Sequence, residues 1–343
     1  MSNKSNQMKI AIIGGASKKG DSVRGIGVHS TELTKSIKQL ITNSDNKIVF
    51  QEVTDHSSLF TEHFAVVHFT AFRPFFISLP FSKPKNTKFI LTIHDLIPLI
   101  YPSVYKSGIR GKLNLLINKF LVRMYVDQII TISETSKKDI VRFMGVDPKN
   151  VNVIYLAPKS AINSKSVAKK YDLPKKFVLY VGDINYNKNI PNLVKACEIA
   201  KIPLVIAGKQ AMEVEKMDLT HPETFHLAGV NWSNAIRLGF VPDDELNDLY
   251  NLAYCYVQSS FYEGFGLPAL EAAVCKTPLV ASKTQALVEI LGTNINYVDP
   301  YSPEDIARGI QNPNKNIKLP REYSWEKAAG ETIDVYRKVI GEQ

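Results

Sequence analysis

Short runs of β-branched and apolar residues recur along the chain with helix-patterned segments between them, and the series occurs twice. KIAIIG (9–14), FAVVHFT (64–70), KFILTIH (88–94) and QIITIS (128–133) form the first series. KFVLYVG (176–182), LVIAG (204–208), AIRLG (235–239), CYVQ (255–258) and PLVA (278–281) form the second. Runs with so few polar positions have no face for water, and strands covered on both faces belong to parallel sheets flanked by helices. The fold class is therefore α/β, with two Rossmann-like, doubly wound domains in succession. A length of 343 residues is enough for two separate cores. Residues 150–176 carry Pro158, Pro174, serines and lysines, a linker composition that places the domain boundary at Pro158.

Composition removes several function classes. With 45% apolar and 22% charged residues the chain reads as globular and water-soluble. The early apolar run Ile10 to Ile13 is too short for a signal-peptide core, and no stretch reaches the ~18 apolar residues of a membrane span. The expected location is cytoplasmic. Cys197, Cys255 and Cys275 lack a Cys-x-x-Cys pairing and sit among apolar residues, as buried reduced thiols do.

Charge divides unevenly. Residues 1–155 hold 21 Lys and Arg against 11 Asp and Glu, whereas residues 156–343 hold 21 against 22. Part of the surplus lies on residues 105–125, where Lys106, Arg110, Lys112, Lys119 and Arg123 punctuate Leu113, Leu115, Leu116, Phe120, Leu121 and Met124. This segment reads as a basic amphipathic helix. Either it packs on a core and turns a solvated basic face outward, or it presents that face to an anionic membrane or acceptor. No zinc-finger, RRM-type or helix-turn-helix signature accompanies the charge, which argues against nucleic acid.

Open parallel sheets bind ligands beyond the carboxyl ends of their strands, so chemistry is expected in a cleft between the two sheets. After the first run come Gly14, Gly15 and a polar loop. Gly25-Ile26-Gly27 then leads, as a loop, into a helix over residues 29–40, a weak anion-site signal. The spacing is not G-x-G-x-x-G and no acidic residue follows at the right distance, against a nicotinamide site. SSFYEGFGLPALEAAVCKTPLVAS is more specific. It predicts a strand over 255–258, a loop over 259–263 and a helix over 267–274 with Pro268 in its first turn. The N–H groups of Gly264 to Leu267 would then suit a diphosphate or sugar hydroxyls. Glu263 and Glu271, with seven residues between them, would bracket a nucleotide-sugar. The alternative is a capping Glu263 and a buried, satisfied Glu271.

The same stretch resembles the E-x7-E signature of retaining glycosyltransferases of the GT-B fold, glycosyltransferase family 4. The likeness extends through GIGVHSTEL, LTIHDLIPLIYP, IITISETSKKDI, VIYLAP, LYVGDINYNKNIPNLVKA, LVIAGK, IRLGFVPDDELNDLYNLA and SWEKAAGETIDVYRKV. It implies an acceptor-binding domain over residues 1–157, a nucleotide-sugar-binding domain over 158–323, and a C-terminal helix over 324–343 that returns to the first domain. Carried over residue by residue, Lys188 matches the cation on the donor diphosphate, Glu271 the ribose ligand and Glu263 a donor-sugar ligand. Phe265, Gly266 and Leu267 match backbone contacts, Phe240 and Val241 follow Gly239 in the turn that holds the base, and Gly182 is the strand glycine. Gly25 and Gly27 match the first domain's phosphate or acceptor loop. His94 and Asp95 stand where a polar residue meets the reacting sugar or acceptor.

Two positions depart from the family pattern. Arginine is usual at one of two places beside the phosphate lysine, which here hold Asp183 and Asn187; Arg24, Lys209 or Lys283 would have to replace it. Lys276 stands where glycine is common, a change at a helix end. The resemblance implies transfer from GDP-mannose or a UDP-hexose to a glycan or lipid-linked acceptor, with retention and no cofactor. No Asp-x-Asp motif calls for a metal. Peripheral contact with the inner face of an anionic membrane would follow from the basic first domain. The alternative is a degenerate subunit that binds nucleotide-sugar or polysaccharide without turnover.

Overall fold

The computed structural model describes residues 8–14, 25–44, 48–53, 57–158 and 167–341. These fall into two compact units. One contains the residues up to Ile100, Ser107–Ala157 and the chain from Tyr323 on; the other contains Tyr101–Lys106 and Pro158–Glu322.

The first unit is built on a six-stranded parallel sheet of β1 (Met8–Ile13), β2 (Ile48–Val53), β3 (Val66–Phe69), β4 (Lys88–Thr92), β5 (Val126–Thr131) and β6 (Val151–Val153), in the order 2-1-3-4-5-6. Successive strand residues face opposite sides, so β4 sends Phe89 and Leu91 into one core and Ile90 into another. On the first face lie α2 (Gly108–Tyr125), through Leu121 and Val122, and α3 (Glu134–Met144), through Ile140 and Met144. The second face packs against Leu33 and Ile37 of α1 (Gly25–Ser44) and against the chain's last helix, Trp325–Ile340. That helix contributes Ala329, Ile333 and Tyr336, and the Tyr336 hydroxyl meets Nδ1 of buried His68 at 2.7 Å.

The second unit has a five-stranded parallel sheet of β7 (Val178–Val181), β8 (Leu204–Ala207), β9 (Ala235–Gly239), β10 (Cys255–Gln258) and β11 (Leu279–Ala281), in the order 11-10-7-8-9. Helices α4 (Ile190–Ala200) and Pro303–Gln311 cover one face; α5 (Asp243–Leu252), α6 (Leu267–Val274) and α7 (Gln285–Leu291) cover the other. With these named, Pro303–Gln311 is α8 and Trp325–Ile340 is α9.

Several expectations need correction. β2 and β6 escaped the search for apolar runs because IVFQEV is interrupted by Gln51 and Glu52 and β6 has only three residues. Gly25 and Gly27 are not in a loop, because α1 already begins at Gly25 and includes them in its first turn. The basic helix begins at Gly108 and not at residue 105; residues 101–106 instead cluster with the second unit. Arg123 is exposed as expected, but it is also tied down. Its Nε donates to the carbonyl of Met144 at 2.9 Å, at the end of α3. Cys197 and Cys255 are buried as expected, and Cys275 only partly.

Candidate active site

In the second sheet the chain runs outward from β7 through β8 to β9, then returns to place β10 on the other side of β7. The loops after β7 and β10 therefore leave the sheet on either side of its topological switch point, the place where open α/β sheets hold ligands. Lys188 lies in the first loop and Glu263 in the second. Three contacts stitch the loops together. Asn187 Nδ2 donates to the carbonyl of Tyr262 at 3.0 Å, the Phe261 amide donates to the carbonyl of Asn187 at 2.8 Å, and Asn189 Nδ2 donates to the carbonyl of Ser259 at 2.9 Å. Asn189, at φ 59°, adopts the left-handed conformation that asparagine tolerates.

This stitching sets Nζ of Lys188 at 2.8 Å from both carboxylate oxygens of Glu263. Glu263 is 5% exposed and Lys188 22%. Oε1 of Glu263 also accepts from Gln258 Nε2 at 2.7 Å and from Ser260 Oγ at 2.6 Å. Gln258 is held in turn by the hydroxyl of Tyr256. The carboxylate is thus fixed by neutral donors on one oxygen and by a cation across both.

Beyond Glu263 the chain turns at Gly266, the N-cap of α6, with φ +95°. A Cβ there would lie 2.5 Å from Cδ2 of Leu287, so both conformation and space require glycine. Phe265 is 3% exposed and could meet a ligand only through its backbone. Glu271, one turn into α6, accepts from the hydroxyl of Tyr250 on Oε2 at 3.0 Å. Burial, with the Glu271 charge as a second cause, pushes the Tyr250 phenol well above its usual range, so it stays a donor. At the end of β7, Gly182 lies under Gly208, whose Cβ would fall 2.0 Å from the Gly182 carbonyl oxygen. After β9 the turn at Gly239 (φ +71°) leaves Phe240 57% exposed and Val241 buried.

The two positions where arginine is usual supply no cation. The side chain of Asn187 is 2% exposed and occupied at both ends, its Oδ1 accepting from the hydroxyl of Tyr105 at 3.3 Å. The Asp183 carbonyl accepts from Tyr180 at 2.6 Å. Lys209 and Lys283 follow the ends of β8 and β11 closely and are exposed; Arg24 lies outside the described residues.

The remaining candidates belong to the first unit. Its sheet reverses direction between β1 and β3, where Ser30 Oγ of α1 meets Thr70 Oγ1 at 3.0 Å, beside Gly27. His94 lies two residues past β4, and its Nε2 meets Nδ1 of His29 at 2.7 Å. Both rings are buried, and burial holds them neutral: His94 is lowered to about 4 and His29 falls well below its ordinary value, with the neighbouring imidazoles adding to the effect on His29. One Asp95 oxygen accepts from the Ile97 amide at 3.1 Å and so shapes the turn that follows. Sequence reasoning did not find His29, Gln258, Ser260 or Tyr250. His29 is the one with a local signal, two residues after the singled-out Gly27.

Two Rossmann-like units, the first completed by the chain's last helix, define the GT-B architecture. Sucrose-phosphate synthase from Thermosynechococcus elongatus shares it, with a TM-score of 0.67 at 18% identity over 98% of this chain and 100% of that one. Residues 163–327 match the family Glycosyl transferases group 1, and residues 43–157 match Glycosyltransferase Family 4. The fold is thus GT-B, and both matched families are glycosyltransferase families. The serotype-specific mannosyltransferase WbdA of Escherichia coli is 28% identical over 74% of this chain and 34% of its own length. The O-antigen chain mannosyltransferase B of Escherichia coli is 30% identical over 61% of this chain and 60% of its own. The chain thus spans about a third of the first of these relatives and under two thirds of the second.

Proposed function

We propose that this chain transfers a sugar from a nucleotide-sugar to an acceptor hydroxyl, with retention at the anomeric carbon and no metal ion. The observation that carries the reading is the Lys188–Glu263 pair at the switch point of the second sheet, beside the N-terminus of α6. Two of the three ammonium hydrogens point at Glu263, which leaves one for a phosphate oxygen. As the glycosidic bond breaks, negative charge grows on the leaving diphosphate, where Lys188 and the first amides of α6 would meet it. Glu263 orients Lys188 in this scheme, and Glu271 accepts from the ribose hydroxyls with its charge anchored by Tyr250. The leaving phosphate takes the acceptor proton on the same face of the sugar, so no enzyme nucleophile is needed. The acceptor would bind the first unit, with His94 as its polar contact.

The mannosyltransferase relatives support GDP-mannose as the first donor to test, with UDP-glucose and UDP-N-acetylglucosamine next. Each donor is to be incubated with the protein and nucleoside diphosphate release followed, with and without EDTA. Release from one donor that persists in EDTA is expected. Strict dependence on manganese would overturn the metal-free scheme. Binding with no release in any combination would favour a degenerate binding subunit.

A further inference from the structure

Helix α2 turns the wrong residues toward water. Its buried positions are Gly111, Asn118, Leu121 and Val122. On the opposite side Ile109 is 90% exposed, and Leu113, Leu116, Phe120 and Met124 are 55% to 64% exposed. At about 3.6 residues per turn these five fall within an arc of roughly 80°, a continuous apolar stripe along the helix. Lys112 and Lys119 flank one edge and Arg110 the other, and the helix has no acidic residue.

This face is held out rigidly. Asn118 Nδ2 donates to the carbonyl of Phe76 at 2.7 Å, and Asn114 Nδ2 to that of Phe75 at 2.9 Å. The Tyr125 hydroxyl donates to the carbonyl of Phe81 at 3.0 Å. The loop so fastened to the helix adds two more exposed aromatic rings, Phe76 and Phe81, at 64% and 67%. An apolar patch of this extent on a fixed surface marks a docking site.

We infer that α2 is an interfacial helix that seats this protein on an anionic lipid bilayer, its apolar stripe entering the headgroup boundary and its basic edges meeting lipid phosphates. Charge selects this occupant. A second copy paired through the same face would set like-charged edges together, because a two-fold interface repeats one patch against itself. Nucleic acid would leave the five apolar side chains without a partner. A stripe of bulky apolar residues edged by Lys and Arg is the pattern of helices that lie in the membrane plane. The helix does not cross the bilayer: among the described residues no helix is long and apolar enough to do so. The inference is independent of the transfer chemistry.

The test is sedimentation of the full chain with vesicles of phosphatidylcholine alone or mixed with phosphatidylglycerol. Binding to the mixed vesicles only, weakened by about 0.5 M salt through screening, is expected. Leu116→Glu combined with Phe120→Glu should lower binding tenfold or more. Lys112→Glu combined with Lys119→Glu should lower it by a similar factor, since each basic group near such a surface contributes about fivefold. Unfolding midpoints and nucleoside diphosphate binding serve as controls, and the charge-reversal pair tests the inference if the apolar variant is misfolded. Equal binding to neutral vesicles, no binding to anionic ones, or unchanged binding in both double variants would overturn it. So would a stable dimer that Leu116→Glu splits and that ignores lipid.

Discussion

Replacing Lys188 by alanine should damage the second unit's stability as well as catalysis, and the two effects separate. Glu263 is 5% exposed, and Lys188 is the only hydrogen-bond donor to its Oε2 among the described residues. The variant therefore leaves a buried carboxylate with neutral donors on one oxygen and none on the other. Breaking a buried ion pair from one side costs about 3–5 kcal/mol, and because Lys188 is 22% exposed, letting water reach the gap, the lower end of ~3 kcal/mol applies. For a unit of this size that lowers Tm by roughly 6–12 °C. Glu263→Gln alone should cost less, since the remaining ammonium is the more exposed partner. Adding Glu263→Gln to Lys188→Ala should recover about 2 kcal/mol, because an amide carries no charge to strand. Turnover, by contrast, should fall roughly 100-fold in Lys188→Ala and stay low in the double variant, the leaving phosphate having lost its cation. Thermal unfolding and donor turnover of the three variants decide the matter. An unchanged Tm in Lys188→Ala, or a double variant no more stable than the single one, would refute the coupling.

Glu271→Ala should weaken free nucleoside diphosphate by about 1–3 kcal/mol, measured by calorimetry; a loss confined to the intact donor would contradict the ribose assignment. Lys276, at the end of α6, has φ +60°, and Lys276→Gly should raise Tm by roughly 2–4 °C by relieving about 1 kcal/mol of left-handed strain. Stability should also fall as pH drops from about 6.5 toward 4. Burial lowers His94 to about 4 and His68, helped by the His94 charge, to about 3, so across that window the unfolded chain binds protons that the folded one refuses. The His94 share is about 3 kcal/mol, and denaturant titrations of His94→Gln should show a shallower pH slope.

Much of this protein was legible without coordinates. Helices cover both faces of each parallel sheet, so its strands read as apolar runs even at the edges β9 and β11; seven of the nine runs overlap their strands with little more than frayed ends, and 235–239 and 255–258 match β9 and β10 residue for residue. The helix over 267–274 also matches α6, because the glycine turn before it and Pro268 inside it mark its start locally. Strand β2 interrupts its apolar run with Gln51 and Glu52, and β6 has only three residues, so neither carries the pattern. What else stayed illegible depends on neighbours distant in the chain. Lys188 and Glu263 were singled out separately, and only the return of β10 to the side of β7 brings them into one ion pair across 75 positions of sequence. The same holds for His94 and His29, joined by the packing of α1 on the first sheet. Helix α2 shows the limit most plainly. Its periodicity specified an amphipathic helix, but which face met the core was settled by Gly111 and Asn118, small or hydrogen-bonded enough to sit against the Phe75–Phe76 backbone. The apolar stripe was left outside, because periodicity states that two faces differ and only packing states which one is covered.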